Sequence, residues 1–309
     1  MIQLSIVLML LASCGTTPIQ SYGNPGKYTG FGKALSYQNQ PYWLGREGTD
    51  HVGSSAKLVL INPDTNTIEE LDTDPVYDYR GGAVGLVDGK ITQLSARWIG
   101  GLTQDFTEIT VTPGNPKIQD KPFKLNLGPR ANCYGVIERD RAICYGHSND
   151  VDFKAVMLEK QGSKWESIGT LPSHGPIGYG ETSFTFTSSR DIIAVGRTSL
   201  DGLGVLASSD GGKSWTSKII YESGKFAAPW VFKDGGRVFV VVTDREERAL
   251  SLYEVNEGGL IFVRHIYYSR AEYMRDFGYG SVLDGLLYFN DSDGDEKPMM
   301  VRIPLNGGI

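Results

Sequence analysis

Apolar and polar residues alternate along this chain in short runs, and the runs come in pairs around tight polar turns. Val84-Gly-Leu-Val-Asp88-Gly-Lys-Ile is one such pair, Val231-Phe-Lys-Asp234-Gly-Gly-Arg-Val a second, and Val282-Leu-Asp284-Gly-Leu-Leu-Tyr-Phe a third. Period-two alternation predicts strands half buried on a sheet, and Asp-Gly between two such runs is a strong hairpin signal. Related turns stand at Asn39, Asp140 and Asp191, so the series 39, 88, 140, 191, 234, 284 repeats every 43 to 52 residues. A second turn follows each, at 62–67, 113–115, 161–163, 210–212, 256–259 and 306–308. Two hairpins per repeat give four strands per repeat. A period of this size marks a propeller or a solenoid, and the short period-locked rungs of a solenoid are missing. The expected fold is therefore all-β, a six-bladed β-propeller of four-stranded antiparallel blades. The last repeat runs out after three strands, so an N-terminal strand, expected near residues 28–31, should close the ring.

Composition narrows the reading. The 309 residues include 39 Gly and 16 Tyr, and the net charge is −6 with no basic run, which speaks against a nucleic-acid partner. Residues 1–13 carry no charged side chain and lead into Leu11-Ala12-Ser13-Cys14. This apolar run is shorter than the roughly 20 residues a membrane-spanning helix needs, and it fits a lipoprotein signal peptide. Cys14 would then be lipidated and would anchor the protein to the envelope membrane. Gly15 in place of Asp favours the outer membrane. Residues 14–27 read as a tether and 28–309 as the propeller. Export permits disulfides. Cys133 and Cys144 flank 138–139 symmetrically, so a turn there leaves either a cross-strand disulfide or two buried thiols.

Ser208-Ser-Asp210-Gly-Gly212-Lys-Ser214-Trp215 matches the Asp-box pattern in full, and here the chain resembles the sialidase superfamily. Asp210 can accept backbone N–H bonds inside the turn, Gly212 can supply a positive φ and Trp215 can pack between strands. The motif is thus a structural staple with no catalytic part. Asp276-Phe-Gly-Tyr279-Gly-Ser, Asp78-Tyr-Arg80 and Arg46-Glu-Gly-Thr-Asp50-His51 extend the resemblance over roughly residues 28–309.

The resemblance implies a ligand face opposite the Asp-box turns, made from the starts of the repeats and the loops between their two hairpins. Its substrate would be an acidic glycan. Because the attacked carbon bears a carboxylate, a neutral tyrosine with a glutamate partner replaces the usual carboxylate nucleophile. Tyr279 takes that role, with Glu181 as its base and Asp78 or Asp50 as the acid. Arg46, Arg80, Arg197 and Arg275 compete to clamp the substrate carboxylate, since guanidinium binds it bidentately. His51 and Trp230 are further substrate contacts, His51 and His147 are candidate bases, and Arg130 and Arg245 fall on the same face. One departure matters: Gly32-Lys33-Ala34 stands where the family's first clamp arginine opens the first blade. A propeller that binds glycan or protein without cleaving it is the rival reading, and a structural envelope module is a third. No metal or cofactor is expected: Asp291-Ser-Asp293-Gly-Asp295 has the start of a calcium loop, but Arg302 stands where its glutamate should be.

Overall fold

The computed structural model describes residues 20–51, 56–147, 153–256, 258–273, 277–294 and 296–305. The signal segment, Cys14 and Arg275 lie outside these. Every regular element among the described residues is a strand. They form four-stranded antiparallel sheets in a propeller arrangement. In each, successive strands of the chain lie side by side, as in Tyr28–Tyr37, Gln40–Gly48, Lys57–Asn62 and Thr67–Glu70. The sheets led by Tyr179–Phe186 and Phe226–Asp234 follow the same plan. The four strands led by Asp78–Val87 and the four led by Arg130–Glu138 share one eight-stranded sheet, because those two first strands pair in parallel from Gly135↔Ala83 to Ile137↔Gly85. Each first strand packs beside the next sheet's first strand, and Gly278–Leu283 returns to Tyr28–Tyr37.

The N-terminal chain does close the last sheet, but with different residues from those expected. Gln20–Tyr22 pairs with Met299–Pro304, in the register Gln20↔Arg302 to Tyr22↔Met300. Tyr28 instead begins the first sheet. The three-residue closing strand is too short and too polar to show periodicity, so the sequence pattern pointed to the longer apolar run behind it.

The hairpin turns follow from residue type. Gln38-Asn39, Asp88-Gly89, Arg139-Asp140, Gly235-Gly236 and Asp284-Gly285 all have positive φ at both central positions, the backbone of a type I′ turn. The 139–140 turn sits one residue later than the cysteine spacing suggested. A bulge between Tyr134 and Glu138 absorbs the offset, so Cys133 still faces Cys144 and the two are joined by a disulfide.

At residues 208–215, Asp210 Oδ1 accepts the N–H groups of Lys213 and Ser214 at 3.0 Å each, and Trp215 Nε1 donates to Gly212 O at 2.9 Å. Gly212 has φ 93°. The Ser214 hydroxyl, then its N–H, then Ser208 and Lys213 hold the Asp210 carboxyl well below its ordinary range. A depressed folded-state value means that the turn's contribution is present above the unfolded aspartate pKa near 4 and fades as pH falls below it. Asp210→Ala should therefore lower the melting temperature at pH 7, and the gap to wild type should narrow as melts are taken from pH 4 downward.

Candidate functional site

Five of the first strands carry a β-bulge near their start; in Arg130–Glu138 the bulge lies in the second half instead. Register shifts occur between Gly30 and Lys33, Tyr79 and Gly82, Tyr179 and Thr182, Ala227 and Trp230, and Gly278 and Ser281. A bulge re-aims a side chain out of the pleat, and bulges recur next to functional sites. The residues inside these shifts include Phe31, Arg80, Glu181, Ala228 and Tyr279. Three are non-glycine residues held at positive φ: Phe31 at 57°, Ala228 at 52° and Tyr279 at 55°. Such conformations cost about 1–3 kcal/mol each and persist where the surroundings impose them. Gly278, beside Tyr279, has φ 109°, and a Cβ there would lie 2.1 Å from Thr243 Oγ1.

The bulges converge on a cavity of about 180 Å³ whose walls include Phe31, His51, Arg80, Trp98, Arg130, Tyr134, Tyr145, His147, Glu181 and Tyr279. Tyr279 is 8% exposed, and its hydroxyl lies within electrostatic reach of the Glu181 carboxylate. Burial first, and then the Glu181 charge, push the phenol well above its ordinary value, so it rests protonated. Glu181 Oε2 accepts Arg197 Nη1 at 3.2 Å and the Ala228 N–H at 3.0 Å. Burial disfavours its charged form, but Arg197, the Ala228 N–H and Arg245 outweigh burial and hold the carboxyl below its ordinary value. The pair is thus a neutral phenol beside a carboxylate, flanked by guanidinium groups.

The other nominated residues divide. Arg80 lines the cavity, with Nε 2.8 Å from Asp78 Oδ2 and its guanidinium 4.2 Å from the Trp98 ring centroid. Asn132 braces it by donating to Arg80 O at 2.6 Å. Arg197 stands behind Glu181 and is also held by Asp201 Oδ1. Arg46 does not reach the cavity surface. It is fully buried, its Nε meets Asp78 Oδ1 at 2.9 Å, and its Nη1 donates to Asp50 O and His51 O, so it fixes the His51 loop. Asp78 is 3% exposed between the two arginines. Asp50 is exposed outside the cavity wall, and its Oδ1 accepts the His51 N–H at 2.6 Å. Trp230 does not line this cavity. It is 5% exposed and sits against Lys33, whose Nζ is 5.5 Å from its ring centroid. The bulge before Trp230 presents the Ala228 N–H to Glu181 and leaves the indole in the packed interior.

Three contributions were not assigned from sequence. Arg245 acts on both Tyr279 and Glu181, and its Nε is buried without a hydrogen-bond partner among the described residues. Tyr134 and Tyr145 complete the wall, and burial pushes both phenols up. Lys33, noted as a departure, lies beneath the site, with Nζ 3.1 Å from Tyr279 O and 3.4 Å from Tyr134 Oη. Arg245 follows an Asp in a polar loop, which gave it no distinguishing signal.

No protein-family model matches the chain, and no curated protein matches it in sequence. Its fold is similar to several solved structures. A protein of unknown function from Dyadobacter fermentans superposes with TM-score 0.73 at 15% identity, over 92% of this chain and 98% of that one. The Hadza microbial sialidase Hz136 gives 0.68 at 10% identity, over 91% of this chain and 66% of that one. A Trypanosoma rangeli sialidase in complex with sialic acid gives 0.61 at 13% identity, over 91% of this chain and 54% of the sialidase, so this chain spans about half of that protein. At these identities the likeness is one of fold.

Proposed function

We propose that this protein is a sialidase-like glycoside hydrolase acting on a terminal acidic sugar. The observation that carries the reading is the buried Tyr279 phenol beside the Glu181 carboxylate in an arginine-flanked cavity, in a fold shared with sialidases. A protonated phenol brings no charge against a substrate carboxylate, and its carboxylate partner can take the proton as the oxygen attacks. Arg80 and Arg130 in the wall, and Arg197 and Arg245 behind Glu181, supply the positive field for the substrate carboxylate. Arg275 belongs to the same proposal by sequence.

On this reading the eight-stranded sheet counts as two blades, the ring has six, and the 208–215 turn is one Asp-box staple. The lipid anchor on Cys14 is proposed from the lipobox, with the outer membrane as destination, and Cys14→Ser should abolish labelling by a radiolabelled fatty acid. The test of the activity is release of fluorophore from 4-methylumbelliferyl sialoside by the chain starting after Cys14. Turnover that saturates with substrate is expected. A folded protein that neither cleaves the sialoside nor any acidic glycan in a panel would leave the binding-propeller reading, which the buried Lys33 in place of a clamp arginine favours.

A further inference from the structure

We propose that Ile261, Phe262 and Val263 seat the propeller on the bilayer that holds its anchor, an inference that rests on the lipobox reading of Cys14. The three side chains are 53%, 49% and 43% exposed, and among the described residues no other run of three large apolar residues is exposed. They lie in Gly259–Tyr268, the last strand of its sheet, so one edge has no neighbouring strand among the described residues. Proteins ordinarily guard such an edge with charge, and a bare apolar one marks a surface that something covers. The outer strands Thr67–Glu70, Asn115–Phe123, Lys164–Thr170 and Thr216–Ser223 all carry charged side chains. Residues 259–263 carry none. Leu252 pairs with Arg264 and Tyr253 with Phe262, so Val263 is the extra residue of a bulge and is turned out of the ladder.

The place where the anchor enters identifies the covering surface. Cys14 stands six residues before Gln20, a span of at most about 22 Å. Gln20 and Ile261 occupy the same height in neighbouring sheets. In the last sheet the turn pair is Leu283↔Leu286; two residues on, Tyr288 pairs with Arg302, and Arg302 with Gln20. In the sheet before it the turn pair is Asp234↔Arg237; two residues on, Phe239 pairs with Glu254, and Glu254 with Ile261. The two outer strands flank one crevice, lined by Ser21 from one and Tyr267 from the other. Anchor and apolar run therefore meet at the Asp-Gly turn end of the ring. The bulges that build the cavity lie at the opposite end of these sheets.

A tether alone limits distance and leaves the ring free to tumble. An apolar patch beside the root of the tether meets the bilayer at high effective concentration and fixes the orientation. Ile, Phe and Val enter the boundary between headgroups and acyl chains, as the apolar face of an interfacial segment does. The cavity is then held facing away from the membrane, toward glycans outside it.

The test uses the lipidated full chain in vesicles of phosphatidylethanolamine and phosphatidylglycerol with nitroxide quenchers on the acyl chains. Phe262→Cys, and separately Val263→Cys, is labelled with an environment-sensitive fluorophore; Cys133 and Cys144 are buried in their disulfide. Leu200→Cys, labelled in the same way, reports the cavity end, since Leu200 is 44% exposed between the strands Ile192–Thr198 and Asp201–Ser208. The labels at 262 and 263 should lose at least about half of their emission, as groups seated roughly 5–10 Å into the interface would, and the label at 200 should keep its own. Quenching at none of these positions, or equally at all of them, overturns the proposal. Emission at 262 that changes with protein concentration and not with the quencher assigns the strand to a second copy of the chain, and overturns it too. Mass spectrometry of the N-terminal peptide separates the two readings. A Cys14 without lipid removes the lipobox reading and this proposal with it, whereas a lipidated Cys14 with unquenched labels removes this proposal alone.

Discussion

Tyr279→Phe should cost at least roughly 10³-fold in turnover of a fluorogenic sialoside while the protein stays folded, the scale expected when a nucleophile is removed from a concerted site. The substitution deletes one oxygen and leaves the rest of the site in place. The ring keeps its 4.5 Å contact with Phe31 and its place over Lys33. Glu181 retains Arg197 and the Ala228 N–H, so no buried carboxylate is left without donors. The backbone at φ 55° is unchanged, because Phe31 shows that phenylalanine is held in that region in this fold. A thermal melt within a few degrees of wild type, beside lost turnover, would assign the loss to chemistry. Activity above a tenth of wild type would remove Tyr279 as nucleophile.

Lys33→Met should stabilise the protein at pH 6 and lose that advantage by pH 10. Lys33 is 1% exposed and forms no ion pair among the described residues; its neighbours are the Tyr279 carbonyl, the Tyr134 hydroxyl and aromatic rings. Burial pulls the amine down to about 7, against the opposing pull of Glu181. The unfolded lysine titrates near 10.4, so between these values the unfolded chain binds more protons and stability rises with pH. Below about 7 both states are protonated, and the cost of the buried charge is at its maximum. A shift of this size has a ceiling of about 4–5 kcal/mol at 1.36 kcal/mol per unit. Methionine removes that cost at similar volume but leaves the Tyr279 carbonyl without this donor, which costs about 1–3 kcal/mol. The net expectation is a gain of roughly 1–3 kcal/mol at pH 6, read by denaturant titration, shrinking to nothing or reversing at pH 10. A gain that does not vary with pH would show that the lysine is not titrating in this window. Turnover should fall in the same variant, because Lys33 steadies the backbone that presents Tyr279. A lysine kept at a cost to stability beneath a strained nucleophile fits a site where function opposes stability.

The repeat was legible because its signals are local. An Asp-Gly turn forces positive φ whatever surrounds it, so the turns at Asp88 and Asp284 could be placed from two residues each, and alternating apolar residues show which face is buried. Tyr279, Glu181 and Arg80 were nominated from short motifs at the starts of repeats, and the structure brings these three to one cavity. The same motifs also nominated Trp230, which does not line the cavity, and could not sort Arg46, Asp78 and Asp50 by role. The reason is physical. In a strand, one residue of register decides which face a side chain takes, and the bulges that set the register here are held by neighbouring sheets. Gly278 can adopt φ 109° in any peptide, but Tyr279 at 55° exists because Phe31, Lys33 and Glu181, from two other sheets, close around it. The closing strand is a similar case: three residues, Gln20–Tyr22, have no pattern of their own and become a strand when Met299–Pro304 offers an open edge. By itself, the sequence determined the strands, the turns and the repeat, which depend on neighbours in the chain. Tertiary structure alone decided which side chains face the cavity, since that depends on bulges and on contacts such as Lys33 with Tyr279, 246 positions apart.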